Sequence, residues 1–152
     1  MIRFTRAFPR VALALGLLTM TATADEKKDV KLEIRAAEKA PAEGLTEATV
    51  EGTNQKIYLH KEAAITNEDI ADARAARDDA GNPMVQITFT KEGAKKAEEL
   101  TKQQKDKWIA ILVDGKVVSA PMVTGVISEK AQITGTFTRD RVEKLVQALK
   151  PK

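Results

Sequence analysis

The stretch ILVDGKVVSAPMV, residues 111–123, restricts the fold more than any other part of the chain. It places Asp114-Gly115 between two aliphatic runs. This dipeptide is a strong hairpin signal, because both residues tolerate the positive φ angles that a two-residue turn requires. The sequence therefore predicts two antiparallel strands, Trp108–Val113 and Lys116–Ala120, joined by that turn.

The two-residue turn also predicts which residues of this hairpin share a face. It sets Val113 opposite Lys116 and Trp108 opposite Pro121, and facing residues lie on the same side of a sheet. One side then carries Ile109, Ile111, Val113, Val118 and Ala120. The other side carries Trp108, Ala110, Leu112, Val117, Ser119 and Pro121. Because both sides are largely apolar, either the hairpin is buried on both faces, or its second face is an exposed patch that binds a partner.

The remaining strands are predicted from alternation and β-propensity. Apolar residues alternate with charged ones over residues 30–35, which is typical of a half-buried strand. Lys56–His60, Met84–Thr90 and Ala131–Phe137 are further predicted strands. Ala36–Gln55 is small and polar, and we expect a long loop there, with one weak strand near residues 48–51.

Two helices are predicted after threonines that can act as caps. Thr90 caps a helix from Lys91 to about Asp106, with an inward stripe of Ala94, Ala97, Leu100 and Thr101. Thr138 caps a last helix, in which a pattern at i, i+3, i+4 and i+7 is formed by Val142, Leu145, Val146 and Leu149. These elements predict an α+β fold, with an antiparallel-dominated sheet and helices packed on one face.

The segment after Thr66 is ambiguous. Thr66 and Asp69 have the spacing of a capping box, and the alanines and arginines of ADARAARDDAGNP favour a continued helix. The turn residues at 80–83, followed by a clear strand, favour instead a strand that pairs back across that turn.

The first 24 residues show the three-part pattern of a signal peptide. Three arginines precede the apolar run VALALGLLTM, and Ala22-Thr23-Ala24 offers a small-residue cleavage site. The run of about ten residues is shorter than the roughly 20 that span a bilayer. We expect cleavage after Ala24, or retention of the segment as an anchor, and a single domain over 25–152. The mature protein would then lie in the periplasm or extracytoplasmic envelope of a bacterium.

The charge balance changes when this leader is set aside. Residues 25–152 contain 22 basic and 22 acidic residues, so their net charge is zero and the basic character belongs to the leader. The charges are interspersed and form no basic stripe, which argues against nucleic acid as a partner. No second apolar segment is long enough to span a membrane. The chain contains no cysteine, so it must fold without disulfides.

The residue inventory does not favour an enzyme. His60 is the only histidine. A triad of Ser119, His60 and an acid lacks the sequence context of a nucleophile elbow. A transition-metal cluster needs several histidine or cysteine ligands, and this chain has one histidine and no cysteine. Gly93 is isolated, so it does not form the glycine-rich loop that binds phosphate. We therefore expect no catalytic residue, no metal and no cofactor.

Several motifs together resemble one known family. WIAILVDGKVVSAPMV and AQITGTFTRDRVEKLVQAL are similar to the head subdomain of the first periplasmic domain of SecD, a subunit of the bacterial protein-export machinery. IYLHKEAAITNEDIADARA and VQITFTKEGAKKAEELT resemble its upstream elements in the same order. KLEIRAAEKAPAEG is similar to the segment that leads into the head, so that the likeness covers residues 30–149. The resemblance implies a strand at about Ala73–Asp78. Ser128-Glu129-Lys130 replaces glycines that are usual in the family.

The family's transport activity does not carry over, because its membrane helices and their charged residues have no counterpart here. The resemblance implies an exported, non-catalytic binding module that contacts polypeptide or an envelope partner and is linked to protein export. The candidate partner-binding surface consists of Trp108, Ala110, Asp114, Gly115, Ser119, Ala120 and Pro121. The alternative is a small envelope hydrolase or ligand-binding protein with an unrecognised site.

Overall fold

The computed structural model describes residues 30–150, so the predicted signal peptide lies outside the described range. Within that range eight strands, one 3₁₀ turn and two α-helices follow one another: β1 (Leu32–Glu38), β2 (Thr46–Thr49), β3 (Lys56–Thr66), the 3₁₀ turn (Asn67–Asp69), β4 (Ile70–Arg77), β5 (Pro83–Phe89), α1 (Lys91–Gln103), β6 (Trp108–Val113), β7 (Lys116–Ser119), β8 (Lys130–Ile133) and α2 (Arg139–Leu149). All the strand pairs are antiparallel. The predicted α+β class is confirmed.

The strands divide between two sheets, whereas the sequence indicated one. The larger sheet has the order β2-β3-β1-β6-β7 and the smaller one β4-β5-β8. The main hydrophobic core joins one face of the larger sheet to the smaller sheet and both helices. The predicted stripe of α2 is buried throughout, and α1 buries Ala97, Leu100 and Thr101.

The larger sheet curls until its two ends meet. The backbone N–H of Glu51, just after β2, donates to the carbonyl of Val117 in β7 at 2.7 Å. This bond joins the two outer strands of the sheet. The curled face encloses a second hydrophobic cluster of Ala37, Val50, Ile57, Leu59, Ala110, Leu112 and Val117. Of the two alternatives for the hairpin, burial on both faces is therefore the correct one.

The predicted register of the hairpin holds only next to its turn. Val113 pairs with Lys116 and Leu112 with Val117, but a bulge then shifts the pairing by one residue. Trp108 consequently faces Met122 and not Pro121. A shift of one residue exchanges the two sides of a strand, so the predicted grouping of Trp108 with Pro121 is wrong.

The segment after Thr66 forms one 3₁₀ turn and then β4. The capping-box bond is present, since the Thr66 N–H donates to Asp69 Oδ2 at 3.0 Å. The chain nevertheless continues as a strand, because β4 pairs with β5 along its length and buries Ile70 and Ala73 in the main core. The strand implied by the family resemblance is confirmed, and helix propensity is overridden by tertiary packing.

Other boundaries differ from the predicted ones. β3 continues to Thr66, six residues beyond the predicted end, and β8 stops at Ile133. Helix α1 ends at Gln103 rather than near Asp106. β1 runs to Glu38, into the segment that was predicted as a loop.

Helix α1 lies tightly against the 3₁₀ turn because residue 93 has no side chain. A Cβ at Gly93 would lie 2.2 Å from the backbone oxygen of Asp69. The same oxygen accepts a hydrogen bond from the Thr90 N–H at 2.9 Å. Lys96 Nζ lies 2.8 Å from the Asp69 carboxylate, which is buried. Position 93 thus requires glycine because the backbone of α1 approaches the backbone of Asp69 too closely for a side chain.

We expect Gly93→Ala to lower the free energy of unfolding by about 1–3 kcal/mol, because the added methyl group overpacks against backbone. In an ordinary helix interior this change would stabilise the protein by about 1 kcal/mol. Urea unfolding followed by the fluorescence of the single tryptophan measures the difference. Gly125→Ala is the control, since nothing lies within 4 Å of a Cβ there. Equal stability of the two variants would contradict the close-contact explanation.

A buried carboxylate lies on the curled side of β1. The side chain of Glu33 is 8% exposed and lies 2.5 Å from Lys31 Nζ and 2.6 Å from Arg35 Nη2. The contact with Lys31 is the largest cause of the shift, and the contact with Arg35 acts in the same direction. Together they exceed the opposing effect of burial and hold the pKa of Glu33 below its ordinary value. A carboxylate with a lowered pKa stabilises the fold above its ordinary pKa, and that contribution is lost as the pH falls through the folded-state pKa.

We expect Glu33→Gln to be less stable than the parent protein at pH 7, and the difference to shrink as the pH falls below the ordinary glutamate pKa of about 4.3 and through the lower folded-state pKa, where the parent carboxyl protonates. Chemical unfolding of both proteins from pH 7 to pH 3 measures this. Glu47→Gln is the matched control, because the ion pair of Glu47 with Lys56 is exposed and contributes little. A Glu33→Gln difference that stayed constant with pH would exclude the charge as its cause.

Candidate functional site: an apolar contact surface beside the hairpin

The hairpin turn has a structural role. Asp114 and Gly115 have φ angles of 51° and 79°, as the predicted turn requires. The Asp114 N–H donates to the Lys31 carbonyl at 2.8 Å, and the Lys31 N–H donates to Asp114 Oδ1 at 3.0 Å. Asp114 therefore fastens the chain before β1 to the end of β6, which accounts for this side chain without a ligand.

The seven residues predicted as a contact surface do not form one face. Ala110 is fully buried in the curled face, so a partner cannot touch it in this fold. Trp108 and Ala120 lie on the curled side of the larger sheet. Pro121 lies on the opposite side, which faces the helices, where it lines a small apolar cavity of about 50 Å³ with Ile109. Half-buried members are Trp108, Ser119 and Ala120, and exposed members are Asp114, Gly115 and Pro121.

The segment that follows β7, residues 121–129, is held in place by backbone hydrogen bonds. The Ile109 N–H donates to the Pro121 carbonyl at 3.1 Å, and Val123 exchanges bonds of 2.8 and 2.9 Å with the turn after α1. The Phe89 N–H donates to the Glu129 carbonyl at 2.9 Å. This segment is therefore anchored at both ends although it contains no strand or helix.

A buried threonine holds the middle of the 121–129 segment. Thr101 is 2% exposed, and its Oγ1 accepts a hydrogen bond from the Ile127 N–H at 3.0 Å while donating to the Ala97 carbonyl at 2.7 Å. Val123 is buried beneath the segment. Thr101 and Val123 thus hold the backbone of the 121–129 segment in place, and the other side chains of the segment project outward from it.

The outward side chains of this segment are apolar. Met122 is 47% exposed and Val126 56%, and they are the large hydrophobic residues that stand exposed within the described range. Met122 faces Trp108 across the sheet, and Lys39 Nζ lies 4.2 Å from the centre of the indole ring. Sequence reasoning missed Met122 and Val126, because neither falls in a periodic pattern. An apolar pair in a segment with proline and glycine was the available signal.

The residues proposed for the hydrolase alternative are not brought together. His60 lies on β3 and Ser119 on β7, and β1 and β6 separate these strands. His60 Nε2 instead lies 3.8 Å from Glu38 Oε1, which is also 3.8 Å from Lys107 Nζ.

Two further observations concern metals and membranes. Over residues 30–150, histidine and carboxylate side chains form no group of three that could hold a metal ion. In the same range neither helix is long and apolar enough to cross a membrane.

We expect Thr101→Val to loosen the 121–129 segment while leaving the rest of the fold intact. Valine has the shape of threonine but offers no acceptor to the Ile127 N–H, and an unsatisfied buried group costs about 1–3 kcal/mol. Amide hydrogen exchange should accelerate at Ile127, and the Val85 amide in the central strand of the smaller sheet serves as the internal reference. Unchanged exchange at Ile127 would show that the hydrogen bond does not hold the segment.

Comparison with known proteins places this geometry among translocase subunits. The family model for the P1 head subdomain of SecDF matches residues 42–151. The protein translocase subunit SecDF of Thermus thermophilus is 41% identical over 87 residues, which make up 57% of this chain and 12% of that protein. SecD of Aquifex aeolicus is 37% identical over 94 residues, 62% of this chain and 19% of that protein. The chain thus matches only a small part of these relatives' length.

Solved structures agree with the sequence matches. A crystal structure of SecDF in the super-membrane-facing form has a TM-score of 0.66 at 32% identity, covering 80% of this chain and 18% of that one. A structure described as a membrane component SecDF that enhances protein export has a TM-score of 0.63 at 30% identity. That match covers 80% of this chain and 62% of that chain.

Proposed function

This chain belongs to the SecDF P1 head family, since the family model covers more than half of it, and from this premise we propose that it contacts unfolded polypeptide outside the cytoplasmic membrane in support of protein export. The contact is non-catalytic. The chain acts as a binding module, with its partner held by shape and apolar surface. Residues 25–152 form the mature unit in this proposal.

One observation carries the proposal. The 121–129 segment is anchored by Thr101 and by its backbone bonds, yet it exposes Met122 and Val126 to solvent. Exposing large apolar side chains on a fixed backbone is unfavourable for a protein without a partner, and such patches usually mark interaction sites. Methionine suits varied partners because its unbranched side chain adapts to different shapes.

The surrounding groups fit an apolar chain rather than a charged ligand. Trp108 offers an aromatic surface beside Met122, and Ala120 lies on the same side of the sheet. Lys39 lies over the indole ring, and residues 25–152 have no net charge. We therefore take Trp108 and Ala120 of the predicted surface, together with Met122 and Val126, as the contact surface, and leave out Pro121, which lies on the helix side.

The test measures binding of a reduced and alkylated polypeptide that cannot fold, with the same polypeptide in its native disulfide-bonded form for comparison. We expect the unfolded form to bind more tightly. Replacing both Met122 and Val126 by aspartate should weaken that binding at least tenfold, which is about 1.4 kcal/mol. Fluorescence anisotropy of the labelled polypeptide gives the dissociation constants.

The double variant Thr124→Asp/Ser128→Asp is the matched control, because both residues are exposed on the same segment and their replacement adds the same two negative charges without removing an apolar side chain. Its affinity should stay within twofold of the parent. Equal affinity for the folded and unfolded forms would contradict the proposed function. Equal weakening by the Thr124→Asp/Ser128→Asp variant would show that charge, and not apolar contact, governs the interaction.

A further inference from the structure

A groove of about 600 Å³ runs beside the middle of β3, apart from the 121–129 segment. Its floor is made of small residues, Ala36, Ala63 and Ala64. One wall is the turn at residues 43–45, and the other is the C-terminal part of α1, with Leu100, Gln103 and Gln104.

β3 lacks strand partners along this groove. β2 pairs with β3 over Lys56–Leu59 only. The ladder with β1 passes from Leu59 directly to Ala63. Within the described range, residues 60–62 therefore have no paired residue on either neighbouring strand. Of their backbone groups, the Lys61 carbonyl accepts a hydrogen bond from the side chain of Arg35 at 3.0 Å.

The chain itself creates this open edge. Gly44 has a φ of +81°, and the Leu45 N–H donates to the Ala42 carbonyl at 3.2 Å, which closes a turn just before β2. A chain that continued the line of β2 would pass beside residues 60–64. Because of the turn, the groove occupies that position. Unpaired strand edges are templates for the backbone of another chain.

His60 and Gln104 line the same groove, and each carries a shielded side-chain atom without a hydrogen-bond partner in the described part of the chain. These atoms are Gln104 Oε1 and His60 Nε2, and the latter lies 3.8 Å from Glu38 Oε1. An amide oxygen needs a donor, and a peptide group supplies an N–H and a carbonyl together. Leaving such groups unpaired costs free energy, and a bound backbone would recover it once the two side chains turn toward the groove.

The charges around the groove are mixed. Glu43 and Glu62 lie beside Lys61, so that no single sign dominates. An occupant would therefore be recognised by its backbone and not by its charge. The irregular pairing of β3 with β1 also limits the length of such an occupant, because bulges bend a strand and interrupt a long ladder.

We propose that this groove binds one short extended segment of polypeptide, which adds to the edge of β3 at residues 60–64 as a further strand. The five residues span roughly 17 Å at the usual strand rise. Strand addition draws affinity from main-chain hydrogen bonds and tolerates varied side chains. This inference rests on the proposed function, because it names a second way in which the same protein holds unfolded chain.

The first test uses backbone N-methylation. A nine-residue peptide with alternating valine and threonine is prepared with methyl groups on either its odd or its even amides. The amides of alternate residues point to opposite edges of a strand, and an added strand pairs with β3 along one edge only. One methylated version should therefore bind like the unmodified peptide and the other at least tenfold more weakly. Equal affinities of the two versions, whether both strong or both weak, would overturn strand addition.

The second test uses the absence of cysteine in the chain. Glu62→Cys places one thiol at the exposed side of the groove, and peptides carry a single cysteine at successive positions. Disulfide yield should alternate with a period of two residues, because successive side chains of a strand point to opposite faces. Gln147→Cys, exposed on α2, is the control and should show no alternation.

The outcomes separate this inference from the proposed function. Unfolded polypeptide could bind in a way that depends on Met122 and Val126 while the disulfide yield at position 62 does not alternate. That result would overturn strand addition alone. Failure of any unfolded polypeptide to bind would overturn both. The Glu62→Cys variant could also form disulfide-linked dimers that excess peptide does not suppress. Such dimers would assign the edge of β3 to a second copy of this chain and would overturn the inference.

Discussion

The fold depends on closure of the larger sheet through the hydrogen bond from the Glu51 N–H to the Val117 carbonyl. A five-stranded sheet with helices on one side alone would leave Ala110, Leu112 and Val117 facing water. Curling brings β2 and β7 together, so that these residues pack against one another instead. An ion pair between Glu51 and Arg141, at 2.6 Å, ties the same closing point to α2. Burial of both hairpin faces follows from this closure.

Closure also decides which apolar groups stay exposed. With the hairpin enclosed, the exposed apolar groups belong to the segment that leaves it, and the bulge in β7 directs Ala120 and Met122 to the Trp108 side. The open part of β3 has a similar origin, because the early turn at Gly44 shortens β2. Both proposed contacts thus lie where the sheet stops being continuous. Binding residues are commonly found on such connections, supported by a rigid sheet.

Particular residues show how far sequence reasoning reached. The Asp114-Gly115 turn, the caps at Thr90 and Thr138 and the buried stripe of α2 are local patterns, and the structure confirms them. The shift after Leu112 was not predictable from a two-residue turn, because a bulge depends on what the neighbouring strand must bury. Ala110 was taken as part of the contact surface because closure of the sheet, which buries it in the curled core, depends on contacts between segments far apart in the chain. Met122 and Val126 were missed, since their exposure depends on which neighbours cover Val123 and Ile127.

By itself the sequence determined the α+β class, the hairpin, the helix starts and the family, because these follow from periodicity, turn chemistry and motifs within short stretches of chain. The family resemblance also correctly favoured a strand after Asp69, where alanine propensity favours helix. Tertiary structure decided the division into two sheets, the closure at Glu51 and Val117, and the identity of the exposed residues. These depend on contacts between segments far apart in sequence. In such contacts, burial and backbone pairing outweigh local preference.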